Sequence, residues 1–168
     1  MQVIHRLGKS ELSTSASQPI RTVPFGELHY TLPSDVNIIS PFVDQLLRFI
    51  SSPEEENESN FEVGLALREA LVNAIVHGNQ EDLHKHVYVT YRSTNDGEIL
   101  ITIQDEGQGF DVNAVADPTA QEHLLRTSGR GIYLMTTLMD EVRFEQKGTV
   151  VHLHRLANSR KDAEEAAI

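Results

Sequence analysis

The sequence predicts a two-layer α/β (α+β) sandwich, in which a mixed, largely antiparallel sheet is covered on one face by helices. Three observations carry this. Several short segments alternate apolar and polar residues: Leu28, Tyr30 and Leu32; Val87, Val89 and Tyr91; Ile99, Ile101 and Ile103. That period of two marks strands with one buried face. Two longer segments, residues 35–50 and 61–80, repeat their apolar residues with helical spacing. The order β, α, α, β, β, long loop, α, β, β then places helices together on one side of a hairpin-built sheet.

Taken in order, residues 1–24 are rich in Ser, Thr and Gln (SELSTSASQ) and read as a flexible N-terminal arm, with short strand pairing near residues 2–6. The first clear strand, 26–32, ends at Pro33-Ser34-Asp35. The helix that follows runs to Ile50, with Val43, Leu46, Leu47 and Ile50 on one face and Pro41 in its first regular turn. Ser51-Ser52-Pro53 and the acidic cluster 54–58 form a solvated connector. Gly78-Asn79 closes the helix 61–80 as a C-cap pair able to take positive φ. Strands 87–93 and 98–105 flank a turn containing Asp96-Gly97, a hairpin signal. Residues 106–128 are irregular apart from a short helix near 120–126, and a connection of that length is commonly functional or disordered. A short helix over 131–139, a hairpin turning at Lys147-Gly148 and a polar tail over 157–168 complete the chain. The division is therefore an arm (1–24), one domain (25–156) and a tail (157–168).

Composition narrows the function classes. The chain has no cysteine, which removes disulfides, thiolate metal sites and cysteine nucleophiles. No secretory leader or apolar membrane span is visible, so a cytoplasmic protein without a membrane partner is expected. A formal charge of −11 argues against direct nucleic-acid binding through phosphate neutralisation. An anionic ligand would need a metal ion, backbone N–H groups or a local basic patch. The histidines form no close ligand pattern beyond the pairs 84/86 and 152/154, which read as surface pairs.

The helix over 61–80 is unusual. At about 100° per residue, Glu62, Ala66, Glu69, Asn73 and His77 fall in one stripe about 80° wide. The rest of the circumference is apolar, interrupted mainly by Gly64 and Arg68. Either the stripe is the solvated edge of a core helix, or it is a site bearing a carboxylate, an amide and an imidazole. His77 could line such a site or be a structural histidine near the helix end. Strand 98–105 also aims Asp105 to the side of its isoleucines, which is costly unless something pairs with it. Asp105-Glu106-Gly107-Gln108-Gly109-Phe110 follows, serving either a plain turn or a backbone that closely approaches a ligand. Ser128-Gly129-Arg130-Gly131 opens a helix, either as an N-cap with Ser128 or as a phosphate-binding N-terminus. The P-loop and G-x-G-x-x-G patterns are absent.

Glu-x-x-x-Asn on a long helix, Asp-x-Gly-x-Gly after a strand and Gly-x-Gly opening a helix resemble the N, G1 and G2 boxes of the GHKL ATPases, with their Bergerat nucleotide-binding fold. REALVNAIVHGN, DEGQGF and SGRGIYLMTTLMDEV carry the likeness, in order and with compatible spacing. Within that group the chain is most similar to bacterial anti-sigma factor serine/threonine protein kinases, over about residues 26–155. The resemblance implies ATP and Mg²⁺ as cofactors. It implies Asn73 as the metal ligand and Glu69 as the catalytic base on the attacking hydroxyl. Asp105 would accept a hydrogen bond from the adenine amino group, with Gly107, Gly109 and Phe110 shaping that end of the pocket. Ser128, Gly129, Arg130, Gly131 and Ile132 would form the phosphate end, where Gly129 and Gly131 present N–H groups and Arg130 or Arg126 adds positive charge. His77 would line the pocket. The expected partners are a STAS-domain anti-anti-sigma protein, a sigma factor and a second copy of the chain as a homodimer. A nucleotide-binding interaction module without kinase activity is the alternative. A sensor histidine kinase is disfavoured, because no dimerisation helix with a phosphoacceptor histidine precedes residue 26.

Overall fold

A computed structural model describes residues 2–6, 26–50, 58–95, 97–109 and 127–157, with backbone alone for 2–6, 58–59 and 127–129. The expected arm beyond residue 6, the connector up to residue 57, the loop and short helix over 110–126 and the tail beyond residue 157 lie outside the described residues, while Glu58, expected in the connector, already belongs to a helix.

Six strands form one sheet: β1 (Gln2–Arg6), β2 (Gly26–Pro33), β3 (His86–Ser93), β4 (Ile99–Asp105), β5 (Glu141–Glu145) and β6 (Val150–Arg155), in the order β1-β2-β3-β4-β6-β5. The expected two layers are present. The sheet is more uniform than a mixed one, since every strand pairing among the described residues is antiparallel. Short hairpin links join β3 to β4 and β5 to β6, and such links return the chain antiparallel. The strand expected near residues 2–6 pairs with β2, in register Gln2 opposite Thr31.

Leu28, Tyr30 and Leu32 of β2, Val87, Val89 and Tyr91 of β3 and Ile99, Ile101 and Ile103 of β4 are buried on one face. The opposite face is polar, with cross-strand bonds such as His29–Thr90 (3.1 Å) and Thr102–His152 (2.9 Å). Helices cover the buried face. A 3₁₀ turn at Val36–Ile38, capped by Asp35, leads into α1 (Ile39–Ile50), which buries Phe42, Val43 and Leu46. The Phe42 and Tyr30 rings meet edge to face at 5.0 Å, tying α1 to β2. A pair of this geometry adds roughly 0.5–1.5 kcal/mol beyond area burial.

The central helix α2 (Glu58–Val72) packs on α1, on the sheet and on α3 (Thr127–Leu138). Val63, Ala66, Leu67, Ala70 and Leu71 are fully buried, which explains its near-continuous apolar circumference. Arg68, an interruption in that surface, reaches α1 and pairs with Asp44 at 2.5 Å and Ser40 at 2.7 Å. The stripe itself divides in two. Glu62 is structural: it accepts from the Arg155 guanidinium at 2.8 Å, and both side chains are largely buried. Arg155 also donates to the Leu138 carbonyl, so one cation locks the start of α2, the end of α3 and the end of β6. Glu69, Asn73 and His77, further along, remain for the site.

Removing Glu62 would leave the buried Arg155 charge only partly compensated, by Asp140 at 3.9 Å. Glu62→Ala is therefore expected to lower unfolding stability by about 3 kcal/mol, and Glu62→Gln by less, since it keeps an acceptor. Denaturant unfolding of the two variants beside the unaltered chain checks this.

Candidate nucleotide-binding site

The helix α2 does not run on regularly to residue 78. From Asn73 to Gly78 the chain forms a π-helical segment, and the Asn79 N–H donates to the Ala74 carbonyl five residues back at 2.8 Å. Such segments are rare and cluster at functional sites. Here the widened turn delivers the backbone of Gly78 onto Asp105. A Cβ at residue 78 would lie 2.5 Å from the Asp105 carboxyl carbon, so only glycine permits the approach. Positive φ was expected at Gly78-Asn79. Asn79 is instead right-handed, and the left-handed residues are the next two, Gln80 and Glu81.

Asp105 ends β4 on its buried side, as its parity in the strand required. Its backbone N–H donates to the Thr149 carbonyl at 3.0 Å, and its Oδ1 accepts from the Gly107 N–H at 2.7 Å. Burial pushes its carboxyl above the ordinary 3.8, with the Gly107 bond and the charge of Lys85 offsetting part of the effect. The next residue turns away from the core. The Glu106 N–H donates to Asn79 Oδ1 at 2.8 Å, and its carboxylate accepts from the His86 N–H at 2.9 Å and the Tyr88 hydroxyl at 2.7 Å. These bonds hold the Glu106 carboxyl below its ordinary range, the Tyr88 hydroxyl first among the causes. Gly109 takes φ +76° beneath the β5–β6 link, where a Cβ would come 2.3 Å from the Lys147 carbonyl oxygen.

Between the π segment, the end of β4, the start of β6 and α3 lies a cavity of about 380 Å³. That size suits a small organic ligand. Of the residues singled out in the sequence, Asn73, His77, Asp105, Gly109 and Ile132 line it. His77 thus faces the cavity rather than serving only to close the helix. The apolar wall was not singled out: Ile103, Phe144 and Val151 join Ile132 to make a slot with one carboxylate, Asp105, and Gly148 and Thr149 complete its rim. Their only signal is topological. Val151 lies opposite Ile103 because β6 pairs with β4, and the sequence does not state strand order.

Glu69 is half-buried and lies outside the cavity lining, beside Asn73 at the α3 end. Its Oε2 is 2.8 Å from where a Cβ at Gly131 would sit, and the Asn73 amide atoms are 3.6 Å from the same point. Glu69, Asn73 and α3 therefore meet at Gly131. The helix also begins four residues earlier than expected, at Thr127. Ser128 is consequently inside its first turn rather than the N-cap. Gly131, the fifth residue of the helix, makes room for the Glu69 carboxylate. Gly107 holds Asp105 Oδ1 from behind. Arg130 is exposed and outside the lining. Phe110 and Arg126 lie outside the described residues, and Ser128 and Gly129 are described only as helical backbone.

Among the described residues no three His, Asp or Glu side chains converge as a metal cage. The amide of Asn73 beside the cavity is a hard oxygen donor. A single such donor fits Mg²⁺, which keeps waters and takes the rest of its shell from ligand phosphates. No helix among the described residues is long and apolar enough to cross a membrane.

Comparison with known proteins agrees with this geometry. Residues 32–155 match the family described as histidine kinase-like ATPase domain. The anti-sigma F factor of Priestia megaterium is 34% identical over 119 residues, covering 67% of this chain and 80% of that protein. The anti-sigma F factor of Heyndrickxia coagulans is 34% identical over 92 residues, 52% of this chain and 63% of that protein. Among solved structures, the crystal structure of the RsbU and RsbW domains of a Mycobacterium tuberculosis protein superposes with a TM-score of 0.56 at 20% identity. That alignment covers 79% of this chain but only 33% of the other, and it speaks to the fold. With the family model matching 124 of its residues, 32–155, the chain belongs to the histidine kinase-like ATPase domain family.

Proposed function

We propose that the chain is an ATP- and Mg²⁺-dependent protein serine/threonine kinase that acts as an anti-sigma regulatory factor in a partner-switching system, phosphorylating a STAS-type anti-anti-sigma protein. The observation that carries this reading is the pairing of Glu69 and Asn73, one helical turn apart, against the N-terminal part of α3. The similarity to anti-sigma F factors supports the choice of partners.

The slot between Ile103, Ile132, Phe144 and Val151 would take the adenine, whose amino group donates to Asp105. The phosphates would run toward α3, where the positive end of the helix favours anions. Asn73 would hold Mg²⁺, which neutralises phosphate charge when bound. Glu69 would accept the proton of the attacking serine or threonine hydroxyl. Phosphoryl transfer asks chiefly for positioning and charge neutralisation, and these groups supply both. A formal charge of −11 makes the metal and the helix terminus more necessary, since the chain as a whole repels a polyphosphate.

Two measurements test the reading. Glu69→Gln should bind ATP within about threefold of the unaltered chain while transfer falls by about 10²–10⁴-fold, the usual range for a general base. Undiminished transfer to a STAS protein would remove Glu69 from that role. ATP binding by the unaltered chain without transfer to any STAS partner would leave a nucleotide-sensing interaction module. The second measurement uses charge. Because Asp105 has a raised carboxyl pKa, its ionisation costs folding free energy, a cost absent below the ordinary 3.8 and complete above the raised folded value. Asp105→Asn should therefore melt higher than the unaltered nucleotide-free protein at neutral pH. The gain should shrink as pH falls through that window and vanish below it, while ATP affinity at neutral pH falls by about tenfold or more. Thermal melts across pH with and without ATP give both readouts.

A further inference from the structure

We propose that Asn79 is a positioning residue that sets the base preference of the cavity, by fixing the turn from which Asp105 meets a purine 6-amino group. The proposal rests on Asp105 being the acceptor for that amino group.

Asn79 is fully buried, at 0% exposure, although it is polar. Its side chain spends both halves of its amide on backbone groups of other elements. Nδ2 donates to the His86 carbonyl at 2.9 Å, and Oδ1 accepts from the Glu106 N–H at 2.8 Å. Its own N–H closes the π segment on Ala74 at 2.8 Å. One residue therefore joins the end of the π segment, the first residue of β3 and the residue directly after Asp105. The Glu106 carboxylate adds a second tie to β3, through the His86 N–H and the Tyr88 hydroxyl.

These bonds converge on the turn and not on the ligand. With Oδ1 held by the Gly107 N–H, the Asp105 carboxylate moves wherever residues 105–107 move. Gly78 leaves no slack on the other side, because its backbone is already against that carboxylate. Hydrogen bonds lose strength steeply with misalignment. A site built to satisfy a ligand N–H rejects an analogue that lacks it, and does so in proportion to how firmly the acceptor is held. Alanine at 79 would orphan the Glu106 N–H and the His86 carbonyl together. Aspartate would keep the acceptor for Glu106 but oppose a second oxygen to the His86 carbonyl.

The experiment compares the dissociation constants of ATP and of purine riboside triphosphate, which carries hydrogen in place of the 6-amino group, for the full chain. The unaltered chain should prefer ATP by about tenfold or more, the worth of one hydrogen bond to a charged acceptor. Asn79→Ala should bring the ratio close to one, with affinity for the analogue within about threefold of the unaltered chain, since the phosphate end is intact. Asn79→Asp should also lose the ratio above neutral pH and recover it on acidification, relative to the unaltered chain at the same pH. The protonated carboxyl then offers an O–H to His86 and a carbonyl to Glu106, restoring both bonds. A folded Asn79→Ala protein that keeps the full ATP preference overturns the proposal and leaves Asn79 with a purely structural role. Should the alanine variant fail to fold, Asn79→Asp decides, and a preference that does not respond to pH overturns it equally. An unaltered chain with no preference between the two nucleotides would instead remove Asp105 as the adenine acceptor, and the proposal with it.

Discussion

A helix packed on three sides can keep a polar residue only by pairing it or by turning it to a cavity. That constraint on α2 organises the molecule. Along one stripe it sorts Glu62 into an ion pair with Arg155, and Glu69 and Asn73 into the junction with α3. The π segment then lets the same helix end against β4 instead of passing over it. Everything the cavity needs from elsewhere is brought to this one rod: the end of β4 with Asp105, the start of β6 with Val151, and the first turns of α3.

The two ends of the cavity differ in how they hold charge. At the Asp105 end a carboxylate is kept in a largely apolar slot, where burial raises its pKa and Gly107 returns part of the lost solvation. At the α3 end an amide, Asn73, and a second carboxylate, Glu69, meet the helix at Gly131. Such an asymmetric slot would favour one orientation of an anionic ligand over its reverse, because a carboxylate stands at one end and the positive end of a helix at the other.

Much of this was readable in the residues. Alternation gave the faces of β2, β3 and β4, and the odd parity of Asp105 within a row of isoleucines announced a carboxylate with a purpose. The narrow stripe on α2 was equally visible, though spacing alone could not separate Glu62, a structural partner of Arg155, from Glu69 one helical stretch later. What escaped depends on contacts between distant segments. The π turn at 73–78 follows from packing against β4 and has no local signature. Phe144 and Val151 enter the cavity through strand order, and Asn79 looked like a helix stop until its side chain was found between His86 and Glu106. Gly78 was read as a helix cap and Gly131 as a backbone N–H donor, whereas in the structure neighbouring carboxylates occupy the space of a side chain at both.

The cavity lining runs from Ala70 to Val151 along the chain. The pocket is therefore a property of the finished domain and of no fragment. A growing chain emerging from the ribosome would expose α2 and Asp105 well before the last hairpin closed the wall, so the cavity is incomplete until β6 has paired. Ligand present in the cell then favours the fully assembled sheet over every partial one.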